Sequence, residues 1–488
     1  MDQSVLILCA IFVPIVMGVY LLARPAYQSR VSMVATASVS FAITTVFSLV
    51  ILIEGDLMLH LVSIGENMNV YFHVDDMSRV FGTIVTIVMP LVGIYAFEYM
   101  GHYKDEKRFF GFFLMVYGVL LALTYAGNIV TFYLFYELMS LSSMPLVFHF
   151  RTKEANMAGL KYLFYSLTGA YFVLFGIYFL NQYTTTLDFT TGGTLDMAKV
   201  AGNEGLLLVA AMSMIIGFGV KAGMIPLHAW LPNAHPIAPA PASAALSSLI
   251  VKMGVFGVMR VVYYLFGENF LRGTWVQYLW LILTLITVFF GSMMAYREKL
   301  FKKRLAYSTV SQVSYILFGM ALMNEVALTG AVLHILFHAI IKSALFMSAG
   351  AIIYKTGIER VDEMKGVGKR MPKVLWCYTI CSLALIGIPP ASGFISKWYL
   401  ATGSLATEVP VISWLGPVVL LISALLTAGY LLPITIDGFF PGPDFDYKHL
   451  EKKDPTRQMT VPIMILAALA VLFGLFPNAI IDYIMAMV

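Results

Sequence analysis

Charge is scarce in this sequence. Charged residues make up 12% of its 488 positions and hydrophobic residues 60%, against about 25% charged in soluble domains. So little charge over such a length excludes an ordinary soluble enzyme. Cysteine is nearly absent: Cys9, Cys377 and Cys381 all sit in apolar segments. Cys377 and Cys381 are four apart and can share a helix face. Three such residues supply neither a disulfide framework nor a metal-ligand set, and they read as small apolar filler. There is no cysteine cluster for an iron–sulfur centre, no glycine-rich nucleotide fingerprint and no haem motif. No cofactor or metal is expected, and any redox chemistry belongs to partners. The net charge of +4 calls for no nucleic acid. The N-terminal stretch MDQSVLILCAIFVPIVMGVYLLARP lacks a basic leader and a small-residue cleavage site, so it is expected as a retained first helix.

What the chain has is apolar runs of about 20 residues, each long enough to cross a bilayer as a helix. They recur from end to end, near 4–23, 31–53, 79–99, 110–126, 128–148, 157–181, 205–225, 241–265, 276–296, 306–323, 327–354, 373–400, 414–436 and 460–478. The fold class is an all-α polytopic membrane protein of about fourteen helices, with both termini on one side of the bilayer. Alternate loops collect 22 of the 31 Lys and Arg, in groups that run from Arg24 and Arg30 through Arg297–Arg304 and Lys355–Lys373 to Lys448, Lys452, Lys453 and Arg457. The opposite loops hold only Arg79, Lys199 and Arg272. Cytoplasmic loops carry the Lys/Arg excess. A multi-pass protein of the cell (cytoplasmic) membrane is therefore expected, with both termini on the outer side.

Six basic residues fall within spans. Lys161 and Arg260 lie near span ends, where a long side chain can snorkel to the interface. Lys221, Lys252, Lys342 and Lys397 lie deeper. A lysine at the bilayer centre costs at least about 2.5–3.5 kcal/mol, and it marks an ion path by default. The competing reading is a buried lysine that only locks helices together. Glu137 is the one acid placed deep in a span. We expect it to pair with Lys221, so that separating the two frees a proton. His334, His338 and Lys342 are spaced four and four, which lines them on one helix face. Histidine exchanges protons near neutral pH, so the stripe suits a relay, although either histidine alone reads equally well as a structural group.

Two spans contain helix breakers. The seventh has Gly217, Gly219 and Gly223 around Lys221, followed by Pro226. The twelfth, SLALIGIPPASGFISKWYL, has Gly387, Pro389, Pro390 and Gly393 ahead of Lys397. Proline removes a backbone donor, and freed backbone groups at membrane depth are tolerated where protein or water receives them. Interrupted helices of opposite direction in two halves of a chain point to an inverted repeat with the ion path at the breaks.

The stretches YELMSLSSMPL, GFGVKAGMIPLHAWLPNAHPIAPAPASAALSSLIVKMGVFG, RLAYSTVSQVSYILFG, LFHAIIKSALFMSAGAI and IGIPPASGFISKW run from span five to span twelve. They resemble the antiporter-like subunits of respiratory complex I, of group 4 membrane-bound hydrogenases and of Mrp cation/proton antiporters. The resemblance implies fourteen helices with two inverted five-helix repeats, broken in helices seven and twelve. It divides the chain into 1–109, 110–265 (first repeat), 266–436 (second repeat) and 437–488. It also implies roles: Glu137 as the fifth-helix acid, Lys221 as its partner, Lys252 as the central relay, His334, His338 and Lys342 as the continuing axis, and Lys397 as the terminal group. Some complex I members carry glutamate at that last place, so the lysine sits better with Mrp D-type or hydrogenase-type relatives. No long lateral helix is expected after the fourteenth span.

The function expected is a proton-translocating subunit of a multi-subunit redox-driven pump, with no redox site of its own. Its partners would be other membrane subunits, further antiporter-like subunits among them, together with the lipid bilayer and protons. The alternative is a D-type component of a Mrp sodium/proton antiporter. A stand-alone secondary transporter and a passive spacer are the remaining readings. His228 and His235 either mark a proton entrance or hold their loop, and Lys161 either tunes the Glu137–Lys221 pair or snorkels.

Overall fold

Every expected span meets a helix in the computed structural model, which describes residues 3–24, 29–63, 65, 68–447, 450 and 454–487. Six helices come first: α1 (Gln3–Ala23), α2 (Arg30–Glu54), α3 (Asp76–Met100), α4 (Glu106–Thr124), α5 (Ile129–Val147) and α6 (Lys153–Tyr183). Next are α7 (Glu204–Ala222), α8 (Trp230–Ile237) and α9, a helix over Ala240–Phe266 with π-helical turns at Leu246–Ile250 and Arg260–Phe266. The longer helices that follow are α10 (Trp275–Arg297), α11 (Phe301–Ala321), α12 (Glu325–Thr356), α13 (Pro372–Ile386), α14 (Ser392–Leu405), α15 (Pro410–Phe439), α16 (Arg457–Leu475) and α17 (Asn478–Met487). Among the described residues, twelve helices are long and apolar enough to cross a membrane. The two remaining expected places hold α11 and the α13–α14 pair. The protein is a multi-pass α-helical membrane protein.

Three features depart from expectation. Strands β1 (Met58–Ser63) and β2 (Asn69–His73) form an antiparallel hairpin between the second and third expected spans, where no element was expected. Helix α11 begins five residues early, so Lys302, Lys303 and Arg304, counted as loop residues, lie in its first turn. Lys302 and Arg304 are buried there and donate to backbone carbonyls, Lys302 to Ala238 at 2.9 Å and Arg304 to Tyr430 at 2.8 Å. Arg260 does not snorkel; it is fully buried. Lys448, Lys452 and Lys453 of the basic count lie outside the described residues.

The chain folds as two compact units. One comprises residues 1–90, 105–230 and 249–282, the other 91–104, 231–248 and 283–488. In the first, helices meet through glycines, because small residues let backbones approach where lipid offers no hydrophobic drive between helices. A Cβ on Gly18 would stand 2.5 Å from the Gly111 carbonyl, which seats α1 on α4. Gly169 and Gly217 do the same for α6 and α7, each Cβ falling 2.5 Å from the other's carbonyl. Several helix starts are capped by side chains. Asn128 accepts from the Thr131 amide at 2.8 Å to open α5, and Asn324 accepts from the Ala327 amide at 2.9 Å to open α12.

Candidate functional site

In the first unit the site forms around the break after α7. Gly223 takes a left-handed φ of 79° and ends the helix. The Met224 amide closes on the Gly219 carbonyl at 2.9 Å and the Gly223 amide on the Val220 carbonyl at 3.1 Å, the double bond of a Schellman stop. The Trp230 indole adds a bond to the Val220 carbonyl at 2.8 Å. Lys221 lies in the last turn and is fully buried. Its Nζ donates to Ser140 Oγ at 2.9 Å, to Tyr162 OH at 2.8 Å and to Ser166 Oγ at 2.8 Å. An ammonium has three donors, so all are used. The rings of Tyr136, Tyr162 and Trp230 lie 5.9, 4.2 and 5.9 Å from the same nitrogen, within cation–π range. The Gly169–Gly217 approach brings this about: Ser166 is one turn before Gly169 and Lys221 one turn after Gly217, so close helices put them in reach.

Glu137 is half-buried on α5, one turn after Tyr133. It lies within electrostatic reach of Lys221, but the bonds made by the lysine are to hydroxyls rather than to the carboxylate. Lys252 is fully buried in α9, directly after its first π-helical turn. Two residues on, a Cβ at Gly254 would stand 2.6 Å from the Phe218 carbonyl and 2.9 Å from Lys221 Cβ. Lys252 is therefore carried on the stretch of α9 that presses on α7 at Lys221. Lys161 is exposed.

Further along α9, Arg260 Nη1 and Nη2 grip Asp75 at 2.5 and 2.8 Å, and Nη2 adds Ser78 Oγ at 3.1 Å. The guanidinium lies 4.4–4.7 Å from the rings of Tyr264, Phe189 and Phe256. Asp75 stands just before α3 and caps it, accepting from the Ser78 amide at 2.8 Å. Burial alone would raise its carboxyl, but the Arg260 charge and hydrogen bonds hold it down at about 2.

In the second unit the site runs along α11 and α12. His334, His338 and Lys342 are buried on α12 as the four-residue spacing requires. Lys342 Nζ donates to the Leu305 carbonyl at 3.0 Å and closely to Ser308 Oγ. His334 Nε2 faces Gln312 Oε1 at 3.2 Å, and Nδ1 faces Ser396 Oγ at 2.9 Å. Its ring stacks on Tyr315 and on His338, both at 5.7 Å between centroids. Lys397 is partly buried on α14. Its Nζ donates to the Leu385 and Ile386 carbonyls at 2.6 and 3.0 Å and sits 5.0 Å from the Tyr315 ring. The prolines explain this contact. The helical partners of those two carbonyls would be the amides of residues 389 and 390, and both are proline, which has none. Lys397 supplies the missing donors at the end of α13, where the helix dipole also favours a cation. His235 is buried and stacks on Phe346 at 4.8 Å, while His228, in the first unit, is half-buried.

Residue-by-residue reading missed the neutral partners: Ser140, Tyr162 and Ser166 around Lys221, and Ser308, Gln312, Tyr315 and Ser396 around the second cluster. A signal was present. Tyr162 and Ser166 are four apart, as are Ser308 and Gln312, and Tyr315 follows three later; each set marks a polar stripe along one face of its helix.

Bilayer-length helices with a lysine at each of two backbone breaks define a multi-pass α-helical membrane protein with charge built into its helix ends. The chain belongs to the NADH:quinone oxidoreductase/Mrp antiporter transmembrane family, whose model matches residues 126–426. Residues 61–110 match the complex I chain 5 N-terminus model. The chain is 31% identical to NADH-quinone oxidoreductase subunit N of Desulforudis audaxviator, over 81% of each sequence. It is 27% identical to the D-type subunit of the Na(+)/H(+) antiporter of Alkalihalophilus pseudofirmus, over 98% of this chain and 95% of that one. The fold matches a chain of the Mrp complex from Dietzia sp. with a TM-score of 0.86, at 20% identity, over 99% of this chain and 97% of that one.

Proposed function

We propose that this chain translocates protons as the antiporter-like subunit of a larger, redox-driven membrane complex. It works beside other membrane subunits, further antiporter-like ones among them, and carries no redox centre itself. The observation that carries the reading is the Lys221 site: a fully buried lysine at a helix break, whose hydrogen bonds among the described residues all go to neutral hydroxyls, with a carboxylate in electrostatic reach. A lysine that only locked helices together would be expected to grip that carboxylate directly. With neutral partners, the lysine's charge state answers to the distance of Glu137.

In the proposed cycle a proton from the cytoplasm loads Lys252, passes along the His334, His338 and Lys342 stripe to Lys397, and leaves on the outer side. Separation of Glu137 from Lys221 drives the step. The scheme includes fourteen spans, two inverted five-helix repeats (110–265 and 266–436), residence in the cell membrane and both termini outside. Support for it comes from the alternation of basic loops and from the two glycine-ended, proline-followed breaks beside Lys221 and Lys397. Replacing Lys221 or Lys252 with alanine should abolish proton translocation by vesicles containing the assembled complex. Unchanged translocation in either variant refutes the assignment.

A second reading, a D-type component of a Mrp sodium/proton antiporter driven by ion gradients, is favoured by the near full-length match to the D-type antiporter chain. The two separate by what energises transport: reducing substrate in the first case, an imposed sodium or proton gradient alone in the second.

A further inference from the structure

His334 has one nitrogen tied down and one facing a rotor. Gln312 Oε1 lies 3.2 Å from Nε2. An amide oxygen only accepts, so with Gln312 in this orientation the hydrogen sits on Nε2. The other nitrogen, Nδ1, is 2.9 Å from Ser396 Oγ. That hydroxyl has a second partner, the Gly393 carbonyl of its own helix, at 3.2 Å. Gln312, His334 and Ser396 are all buried, so every one of these bonds matters to the energy of the site.

A serine hydroxyl carries one donor and two acceptor positions and turns freely about its C–O bond. When His334 is neutral, Ser396 turns its hydrogen toward Nδ1 and the imidazole accepts it. When His334 carries a second proton, Nδ1–H donates to Ser396 Oγ, and the hydroxyl turns its hydrogen to the Gly393 carbonyl. Both ring nitrogens are then hydrogen-bonded in either charge state without any movement of the ring or the backbone, and the Gly393 carbonyl receives the hydroxyl only when His334 is charged. A buried histidine ordinarily loses a partner in one of its two states, and an unmade bond there is costly.

We propose that Ser396 is the positioning residue that lets His334 take up and release a proton at Nδ1, with Gln312 fixing the hydrogen on Nε2. The inference deepens the relay proposed above and rests on it for its role in transport. The titratable neighbours named in the site are His338 on the same helix, Tyr315 on α11 and Lys397 on α14. Ser396 precedes Lys397 in the first turns of α14, so the rotor stands beside the terminal lysine in sequence and reports the charge of His334 to the carbonyl of the broken helix.

The test is nitrogen-15 NMR of histidine-labelled complex in nanodiscs, with the His334→Gln variant identifying the His334 signals. The expected neutral form carries hydrogen on Nε2, with Nδ1 showing the shift of a hydrogen-bonded acceptor. Ser396→Ala should move Nδ1 to the unbonded position and slow proton translocation by about tenfold or more. Ser396→Thr, which keeps the hydroxyl, should restore both. Gln312→Leu should release the tautomer preference. A neutral His334 with hydrogen on Nδ1, or an Nδ1 signal indifferent to Ser396→Ala, overturns the inference. If the NMR signature appears as described but His334→Gln leaves translocation intact, the rotor stands and the relay role of His334 fails.

Discussion

Replacing Asp75 with asparagine removes the charge with little change of shape, and it also sets an amide NH2 where Oδ2 now accepts from Arg260 Nη1. Asparagine is isosteric with aspartate and caps a helix as well, so the bond from the Ser78 amide that opens α3 survives. What is lost is the negative half of a bidentate pair whose positive half, Arg260, is fully buried. Removing one partner of a buried pair costs about 3–5 kcal/mol, because the other charge is left uncompensated. The Asp75 side chain is 21% exposed, which places this case at the lower end. Its carboxyl, held at about 2 from an ordinary 3.8, corresponds to about 2 kcal/mol at 1.36 kcal/mol per unit. The expected loss at neutral pH is therefore about 2–3 kcal/mol.

The pH dependence carries a definite sign. A carboxyl depressed by folding contributes its stability above the unfolded value, and that contribution fades as pH falls toward the folded value. The gap between wild type and Asp75→Asn should be constant above about pH 4 and should narrow as pH falls toward 2. Thermal unfolding of the purified protein in nanodiscs, followed across pH, reads both quantities. A double variant, Asp75→Asn with Arg260→Met, keeps the cap of α3, removes both charges and should recover most of the loss, since replacing a whole buried pair is often neutral. A loss below about 1 kcal/mol at neutral pH, or a gap that widens on acidification, would refute the reasoning.

Three other outcomes follow from particular contacts. Gly217→Ala puts a methyl 2.5 Å from the Gly169 carbonyl; overpacking of this kind costs about 1–3 kcal/mol and should lower both thermal stability and translocation, because Lys221 loses its reach to Ser166. Tyr162→Phe removes one of three acceptors from Lys221. At about 1.5–3 kcal/mol for a hydrogen bond to a charged group, it should slow translocation by about tenfold or more in vesicles while assembly, checked by native electrophoresis, is retained. Lys397→Met leaves the Leu385 and Ile386 carbonyls without their donor. Hydrogen exchange at the end of α13 should accelerate in this variant, and unchanged exchange there would show that the lysine does not hold the break.

Much of the protein is legible along the chain because the bilayer imposes a coarse rule: apolar runs of a fixed length must be helices, since their backbone groups find no partner in lipid. That rule located the helices, and the cost of buried charge singled out Lys221, Lys252, Lys342 and Lys397. It says little about segments that leave the hydrocarbon. The β1–β2 hairpin went unseen for that reason. So did the first turn of α11, whose Lys302 and Arg304 look like loop residues until the carbonyls they bind are known.

What each charge touches was decided only by tertiary structure. Sequence order paired Glu137 with Lys221 because they are opposite in sign. Space keeps the carboxylate in electrostatic reach and adds three hydroxyls, because glycines on α6 and α7 bring Ser166 and Tyr162 closer. Arg260 read as a snorkelling side chain, and its actual partner, Asp75, is distant in the chain and adjacent only after α3 and α9 pack. The helix period determines which residues share a face. Only backbone approach, set here by residues with no side chain at all, determines which faces meet.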